Sequence, residues 1–175
     1  MNWDQFFEWL MDRERRVIHH DRRDPGGQTA WGISRRHHPF ARVWELVDRG
    51  VTSGVDFEGH VKDFYREEYG TLWDSAPVRV RPVLVDTAVN MGQEYAVRCM
   101  QTALCKLAGS AYITVDGDWG PKTDFAVKKA NHDGLAMAMC AVRMAEYNRR
   151  ATVDKSKKVF LQGWLNRVSL LMDVL

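Results

Sequence analysis

The sequence has 175 residues, a length that suits one compact domain or a domain with a short appendage. Its formal net charge of +2 and its pI near 8.5 give only a mild bias toward anionic partners. Hydrophobic residues make up 45% of the chain, enough for a core, but no apolar run approaches the roughly 18 residues of a membrane span. The acidic N-terminus, MNWDQFFEWLMDRERR, lacks the basic start of a secretory signal, so we expect synthesis in the cytoplasm.

The first half of the chain is predicted to be helical, with one glycine-rich loop. Apolar residues spaced at i, i+3 and i+4 predict an amphipathic helix that begins after Asn2, a suitable N-cap, and fades near Arg16. Turn residues dominate residues 21–34, where a short β-hairpin is predicted within residues 24–34. Two further helices are predicted at residues 41–49 and 57–69.

The second half continues with helices. An apolar helix at residues 81–89 is interrupted by the turn at residues 90–92, and the spacing of apolar residues predicts further helices at 93–107, 121–129, 135–150 and 160–174. Residues 151–158 are polar and are predicted to be a loop. Because strand signals are sparse, the predicted fold class is all-α, or α-dominated with one short hairpin.

A glutamate at the end of the first helix is the main candidate for chemistry. Glu14 follows Leu10 by four residues and Met11 by three, which places it on the apolar side of the helix near its C-terminal end. Burial and the negative end of the helix dipole disfavour the carboxylate form, whereas Arg15 and Arg16 favour it. A carboxyl group that stays protonated near neutral pH can act as the general acid in glycosidic cleavage.

A second carboxylate and a hydroxyl follow on the glycine-rich loop. Asp24 could activate a water on the opposite face of a sugar and Thr29 could help to position it, as in an inverting glycosidase whose carboxyl groups lie about 6.5–9.5 Å apart. Gly26 and Gly27 would let the backbone turn tightly and approach a bulky sugar. By residue type alone, the more common roles are structural: Glu14 as a solvated helix end, and the others as turn or cap residues.

The segment that contains these residues resembles the N-terminal signature of glycoside hydrolase family 108, the lysozyme-like muramidases of phages and prophages. That signature runs roughly E-G-G-Y, a short spacer, and D-x-G-G-x-T-x-x-G-I, and the chain retains Glu14 with residues 24–29 and 32–34. The resemblance implies that Glu14 is the catalytic glutamate, and the order Glu, Asp, Thr is similar to the triad of other phage lysozymes. The chain departs from the signature at residues 15–17, where Arg-Arg-Val replaces Gly-Gly-Tyr.

Further segments resemble the family in order along nearly the whole chain, at residues 65–74, 85–92, 101–104 and 163–168. Residues 115–123, VDGDWGPKT, are similar to the D-G-x-x-G-P-x-T turn of peptidoglycan-binding modules, where Trp119 could stack on a sugar ring. Asn90, at the helix break, could bind substrate or serve as a cap. Asp86 could be a third carboxylate of the groove or the buried partner of an arginine.

The resemblance implies a lysozyme-like helical fold, with a catalytic region at residues 1–92 and a peptidoglycan-binding-like segment within residues 93–175, packed together as one compact unit. It also implies a muramidase of the endolysin type, which cleaves the β-1,4 bond between N-acetylmuramic acid and N-acetylglucosamine during lysis of a host cell. Two alternatives stay open: a lytic transglycosylase that acts on the same bond, and a non-catalytic wall-binding or virion protein.

The expected partner is bacterial peptidoglycan, and the arginines near Glu14 could also draw the protein to anionic envelope polymers. No cofactor or metal is expected, because the adjacent histidines at 19–20 and 37–38 point in different directions. Neither nucleic-acid binding nor membrane insertion is expected, and the protein is predicted to be a monomer. We expect it to be made in the host cytoplasm and to act in the periplasm or wall after release through a holin.

Overall fold

The chain forms two compact units in a computed structural model, which describes residues 1–20 and 27–175, with the backbone alone at His20. The N-terminal unit comprises Asn2–Gly70, and the C-terminal unit comprises Thr71–Leu175 together with Met1. The described residues form eight α-helices and one three-stranded sheet, which confirms the predicted α-dominated class and its short hairpin.

Helix α1, Trp3–Glu14, begins at a complete capping box. The Asn2 side chain accepts a hydrogen bond from the Gln5 backbone N–H at 2.9 Å, and the Gln5 side chain accepts one from the Asn2 backbone N–H at 2.9 Å. The predicted N-cap is therefore confirmed. The apolar stripe of α1 is buried through Phe6, Phe7, Trp9, Leu10 and Met11.

The sheet consists of β1 (Ile18–His20), β2 (Gln28–Ala30) and β3 (Ile33–Ser34), paired antiparallel in that order. A two-residue turn joins β2 to β3, with φ of 47° at Trp31 and 83° at Gly32. Positive φ at both central positions is the conformation that matches the twist of a tight hairpin. The sequence does not reveal β1, because a strand of three residues has too little alternation to register.

Helix α2 (Val43–Asp48) and the part of α3 (Val55–Ser75) up to Gly70 complete the N-terminal unit. Aromatic side chains connect its elements: the rings of Phe7 and Tyr65 lie 6.2 Å apart, and those of Trp31 and Phe57 lie 5.4 Å apart. The hairpin turn and α1 therefore share one core with α3.

The C-terminal unit contains α4 (Arg81–Met91), α5 (Gln93–Ala108), α6 (Pro121–Lys129), α7 (His132–Val153) and α8 (Lys158–Met172). The central helix α7 packs against α4, α5 and α8. The predicted break after α4 occurs at Gly92, with φ of 92°. The predicted loop at 151–158 is wrong in part, because α7 continues to Val153 and a 3₁₀ turn occupies Lys155–Lys157. In the described part of the chain, every helix is too short or too polar to cross a bilayer.

Candidate active site

The carboxylate of Glu14 lies against the hairpin turn of the N-terminal unit. Glu14 is the last residue of α1 and is half-buried, as its place on the apolar side of the helix predicts. A Cβ atom added to Gly32 would lie 2.7 Å from Glu14 Oε2 and 2.5 Å from the hydroxyl of Tyr65. The turn can therefore approach the carboxylate this closely only with glycine at its second position.

Two tyrosines of α3 border the same place. The Tyr65 hydroxyl donates a hydrogen bond to the carbonyl oxygen of Trp31 at 2.9 Å, in a buried position, and so ties the turn to α3. Burial, and then the charges of Glu68 and Glu14, raise the pKa of Tyr69 to about 12. Tyr69 therefore stays a neutral phenol beside Glu14 at any physiological pH. The sequence did not assign these tyrosines a site role, although their Y-x3-Y spacing places both on one face of α3.

Thr29 lies at the middle of the sheet, on its polar face. It pairs with His19 on β1 and Ser34 on β3, while the adjacent pair Ala30 and Ile33 is buried. Since paired residues point to the same face and successive residues to opposite faces, the hydroxyl of Thr29 shares its face with His19 and Ser34. The role of Thr29 in positioning a water stays a prediction.

Two predicted site residues, Asp24 and Gly26, lie outside the described residues. Gly27, the first described residue after them, has φ of 71°, a left-handed conformation that glycine adopts without steric cost. Of the predicted catalytic set, the structure thus describes Glu14 and Thr29.

The backbone directly after Glu14 has a conformation that glycine adopts more easily than other residues do. Arg15 has φ of 62° and ψ of 131°, a combination that is costly for a residue with a side chain. The signature that this segment resembles has glycine at this position, whereas this chain has Arg15. The next residue, Arg16, forms exposed ion pairs with Asp12 at 3.3 Å and with Glu8.

We expect Arg15→Gly to be more stable than Arg15→Ala by about 1 kcal/mol, because both variants lose the charge but only glycine relieves the backbone strain. Urea denaturation of the two variants measures the difference. Equal stability, or a more stable alanine variant, would show that the backbone at Arg15 is not strained.

Gly32→Ala is expected to destabilise the protein by about 2–4 kcal/mol, from the cost of positive φ together with displacement of Glu14 and Tyr65. Gly50→Ala is the matched control, since Gly50 has φ of +81° with no atom within 4 Å of an added Cβ, and should cost only about 1 kcal/mol. Thermal unfolding and wall-clearing rate are compared for both variants. Equal losses for the two would contradict a close approach at Gly32.

The predicted substrate residue Asn90 lies in the C-terminal unit, exposed, near the end of α4. With its amide oxygen facing Arg167, it accepts from the guanidinium Nε at 2.8 Å and Nη2 at 2.9 Å. Arg167 in turn binds the buried Asp86, which also pairs with Arg143. The interpretation of Asp86 as a buried partner of arginine is therefore confirmed, and the role of Asn90 in substrate binding stays a prediction.

The turn at residues 116–123 is organised by the buried Gln101 of α5. The Gln101 side chain accepts from the Gly117 backbone N–H at 2.9 Å and donates to Asp116 Oδ1 at 2.7 Å and Thr123 Oγ1 at 3.0 Å. Trp119 is half-buried, and stacking of its ring on a sugar stays a prediction. Within residues 1–20 and 27–175, no cluster of three or more histidine, cysteine or acidic side chains could hold a metal ion.

Comparison with known proteins agrees with this arrangement. Residues 7–92 match the family described as Glycosyl hydrolase 108, and residues 95–169 match the family described as Predicted Peptidoglycan domain. The solved structure of Brucella abortus SagA is similar in fold, with a TM-score of 0.69 and 23% identity over 98% of this chain and 91% of that one. None of the curated proteins matches the chain.

Proposed function

Because the chain belongs to the glycosyl hydrolase 108 family, we propose that it cleaves the β-1,4 bond between N-acetylmuramic acid and N-acetylglucosamine, with Glu14 as the general acid. The chain is a glycoside hydrolase of the lysozyme type that acts on peptidoglycan, and the second family, at residues 95–169, supports the same substrate. The proposal adds which bond is cleaved and which side chains perform the reaction.

The position of Glu14 carries the proposal. Its side chain is half-buried at the end of α1, next to a hairpin turn in which Gly32 has no side chain to cover the carboxyl group. The Tyr65 hydroxyl donates a hydrogen bond to the carbonyl of Trp31, which helps to hold this turn in place. A half-buried carboxyl group that the turn leaves uncovered can deliver a proton to the leaving oxygen as the glycosidic bond breaks.

The second half of the reaction requires a water on the opposite face of the sugar. We assign Asp24 to activate this water and Thr29 to help position it, which makes the enzyme an inverting hydrolase. Support comes from the order of these residues after Glu14 in the sequence and from the polar face that Thr29 shares with His19 and Ser34. Gly26 and Gly27 would leave room for the sugar beside them.

Mass spectrometry of digested, purified peptidoglycan tests the proposed reaction. Products with reducing N-acetylmuramic acid ends are expected. Anhydro-muramic ends would instead identify a lytic transglycosylase, and reducing N-acetylglucosamine ends would identify cleavage of the other glycosidic bond. Absence of any new ends would favour the non-catalytic alternative.

We further propose that this activity serves phage-driven bacteriolysis, with the protein made in the host cytoplasm and acting on the wall as a monomer after release through a holin. The resemblance to muramidases of phages and prophages supports this role. Expression in a host with and without a holin tests it: lysis is expected only with the holin, and lysis that does not depend on it would contradict this route of release.

A further inference from the structure

Two adjoining cavities lie on the C-terminal unit between the end of α5 and helix α6. One cavity of about 360 Å³ is lined by residues that include Leu107, Tyr112 and Lys129. A second cavity of about 350 Å³ is lined by Tyr112, Ile113, Pro121, Lys122 and Phe125, so that Tyr112 belongs to both. We call the two together the Tyr112 furrow.

The Tyr112 furrow adjoins the turn that resembles peptidoglycan-binding modules. A third cavity of about 350 Å³ shares Ile113, Pro121 and Lys122 with the second and adds residues of the turn, among them Asp116 and Thr123. Each of the three cavities has the size of a small-ligand site, and their shared lining residues show that they adjoin one another.

Large apolar side chains are exposed along this furrow. Tyr112 is 48% exposed, Leu107 is 52% exposed and Phe125 is 59% exposed. Clustered apolar surface on a water-soluble domain marks a site of interaction more often than scattered single residues do. Two aromatic rings in such a cluster can pack against the C–H faces of sugar rings.

Positive charge flanks the aromatic rings. Lys122 lines the second cavity, and Lys129 lines the first with its ammonium 5.8 Å from the centre of the Phe125 ring. A neighbouring lysine, Lys128, is already paired with Asp124 at 2.7 Å. The aromatic part of the furrow therefore combines apolar faces with two cations that can receive carboxylates.

We propose that the Tyr112 furrow binds a second stretch of peptidoglycan, with sugar rings packed on Tyr112 and Phe125 and stem-peptide carboxylates paired with Lys122 and Lys129. This inference rests on the proposed function for its choice of polymer. Peptidoglycan is the occupant because it alternates apolar sugar faces with anionic peptides, the combination that these side chains complement. The furrow then holds the wall independently of the residues that cleave it.

Co-sedimentation with purified insoluble peptidoglycan tests the inference in the full chain carrying Glu14→Gln, so that the polymer is not consumed. The double variant Tyr112→Ala/Phe125→Ala should bind about tenfold or more weakly. Phe40→Ala is the matched control, because Phe40 is 95% exposed but lies in the N-terminal unit, and it should bind like the parent. Circular dichroism checks that each variant keeps its helices.

Lys122→Gln/Lys129→Gln provides a second variant with minimal risk to folding, since it removes two surface charges. It should bind intact peptidoglycan several-fold more weakly but bind chitin, an insoluble polymer of N-acetylglucosamine without carboxylates, as the parent does. Parent-like binding of both double variants to intact peptidoglycan would overturn the inference. Dissociation of a dimer by Tyr112→Ala/Phe125→Ala would also overturn it, in favour of a second copy as the occupant. The binding assay uses a variant that does not cleave the polymer. It therefore tests the furrow even if mass spectrometry shows that the proposed bond is not cut.

Discussion

Replacing Glu14 by glutamine is expected to lower the rate of wall clearing by about 10²- to 10⁴-fold, the contribution that a positioned general acid makes to a reaction. The amide has nearly the same shape as the carboxyl group but cannot transfer a proton to the leaving oxygen. Since Glu14 is the last residue of α1 and only half-buried, the fold should not depend on its charge. Loss of turbidity of outer-membrane-permeabilised cells measures the rate.

Glu8→Gln is the matched control for this experiment. Glu8 lies on the same helix and pairs with Arg16, but its side chain is 59% exposed. This variant should clear the wall at close to the parent rate, because an exposed ion pair contributes little to stability. Undiminished clearing by Glu14→Gln, or an equal loss in both variants, would contradict the assignment of Glu14.

Asp86→Asn is expected to destabilise the protein by about 3–5 kcal/mol, the cost of breaking a buried ion pair from one side. Asp86 Oδ2 binds Arg143 Nη1 at 2.5 Å, and Oδ1 binds Arg167 Nη2 at 2.6 Å, with Asp86 and Arg143 both fully buried. The carboxylate joins α4 to α7 and α8, and without it two guanidinium groups lose their anion. Urea denaturation gives the free energy of unfolding.

Asp48→Asn is the control, because Asp48 pairs with Arg35 at 2.6 Å but is 55% exposed. That substitution should change the free energy of unfolding far less than Asp86→Asn does, because solvent screens an exposed ion pair. If the two substitutions cost the same, Asp86 does not hold the three helices together.

The same cluster predicts how stability depends on pH. Burial opposes ionisation of Asp86, but Arg167 and Arg143 more than offset it, so that its pKa lies below the ordinary value of 3.8. A lowered pKa in the folded state means that this stabilisation is complete above the ordinary carboxyl pKa and is lost as pH falls through the lowered value. The free energy of unfolding of the parent should therefore fall below about pH 4 more steeply than that of Asp86→Asn.

Local spacing was enough to place Glu14 and Asp86. Glu14 follows Leu10 and Met11 at helical intervals, and these two residues are buried in the core of the N-terminal unit. Asp86 stands within the apolar run of α4, where an isolated carboxylate needs a cation. Periodicity reveals such positions because it depends only on neighbours along the chain.

Contacts between segments that are far apart in the sequence could not be predicted from it. The contact of Tyr65 with the Trp31 carbonyl spans 34 residues, and the space for Glu14 beside Gly32 depends on how the hairpin turn meets α1. The strain at Arg15 was also hidden, because the sequence shows an arginine where the conformation favours glycine. The exposure of Tyr112 and Phe125 likewise appears only once α5 and α6 are packed.

The acid role of Glu14 is tested most directly by varying the leaving group. A soluble oligosaccharide of the wall glycan is prepared with either a sugar or a dinitrophenolate as the leaving group, and the parent and Glu14→Gln are compared on both. Because dinitrophenolate departs without needing a proton, Glu14→Gln should lose at least about 100-fold more activity on the sugar leaving group than on dinitrophenolate. Equal losses on the two substrates would show that Glu14 acts in some way other than by donating a proton to the departing oxygen.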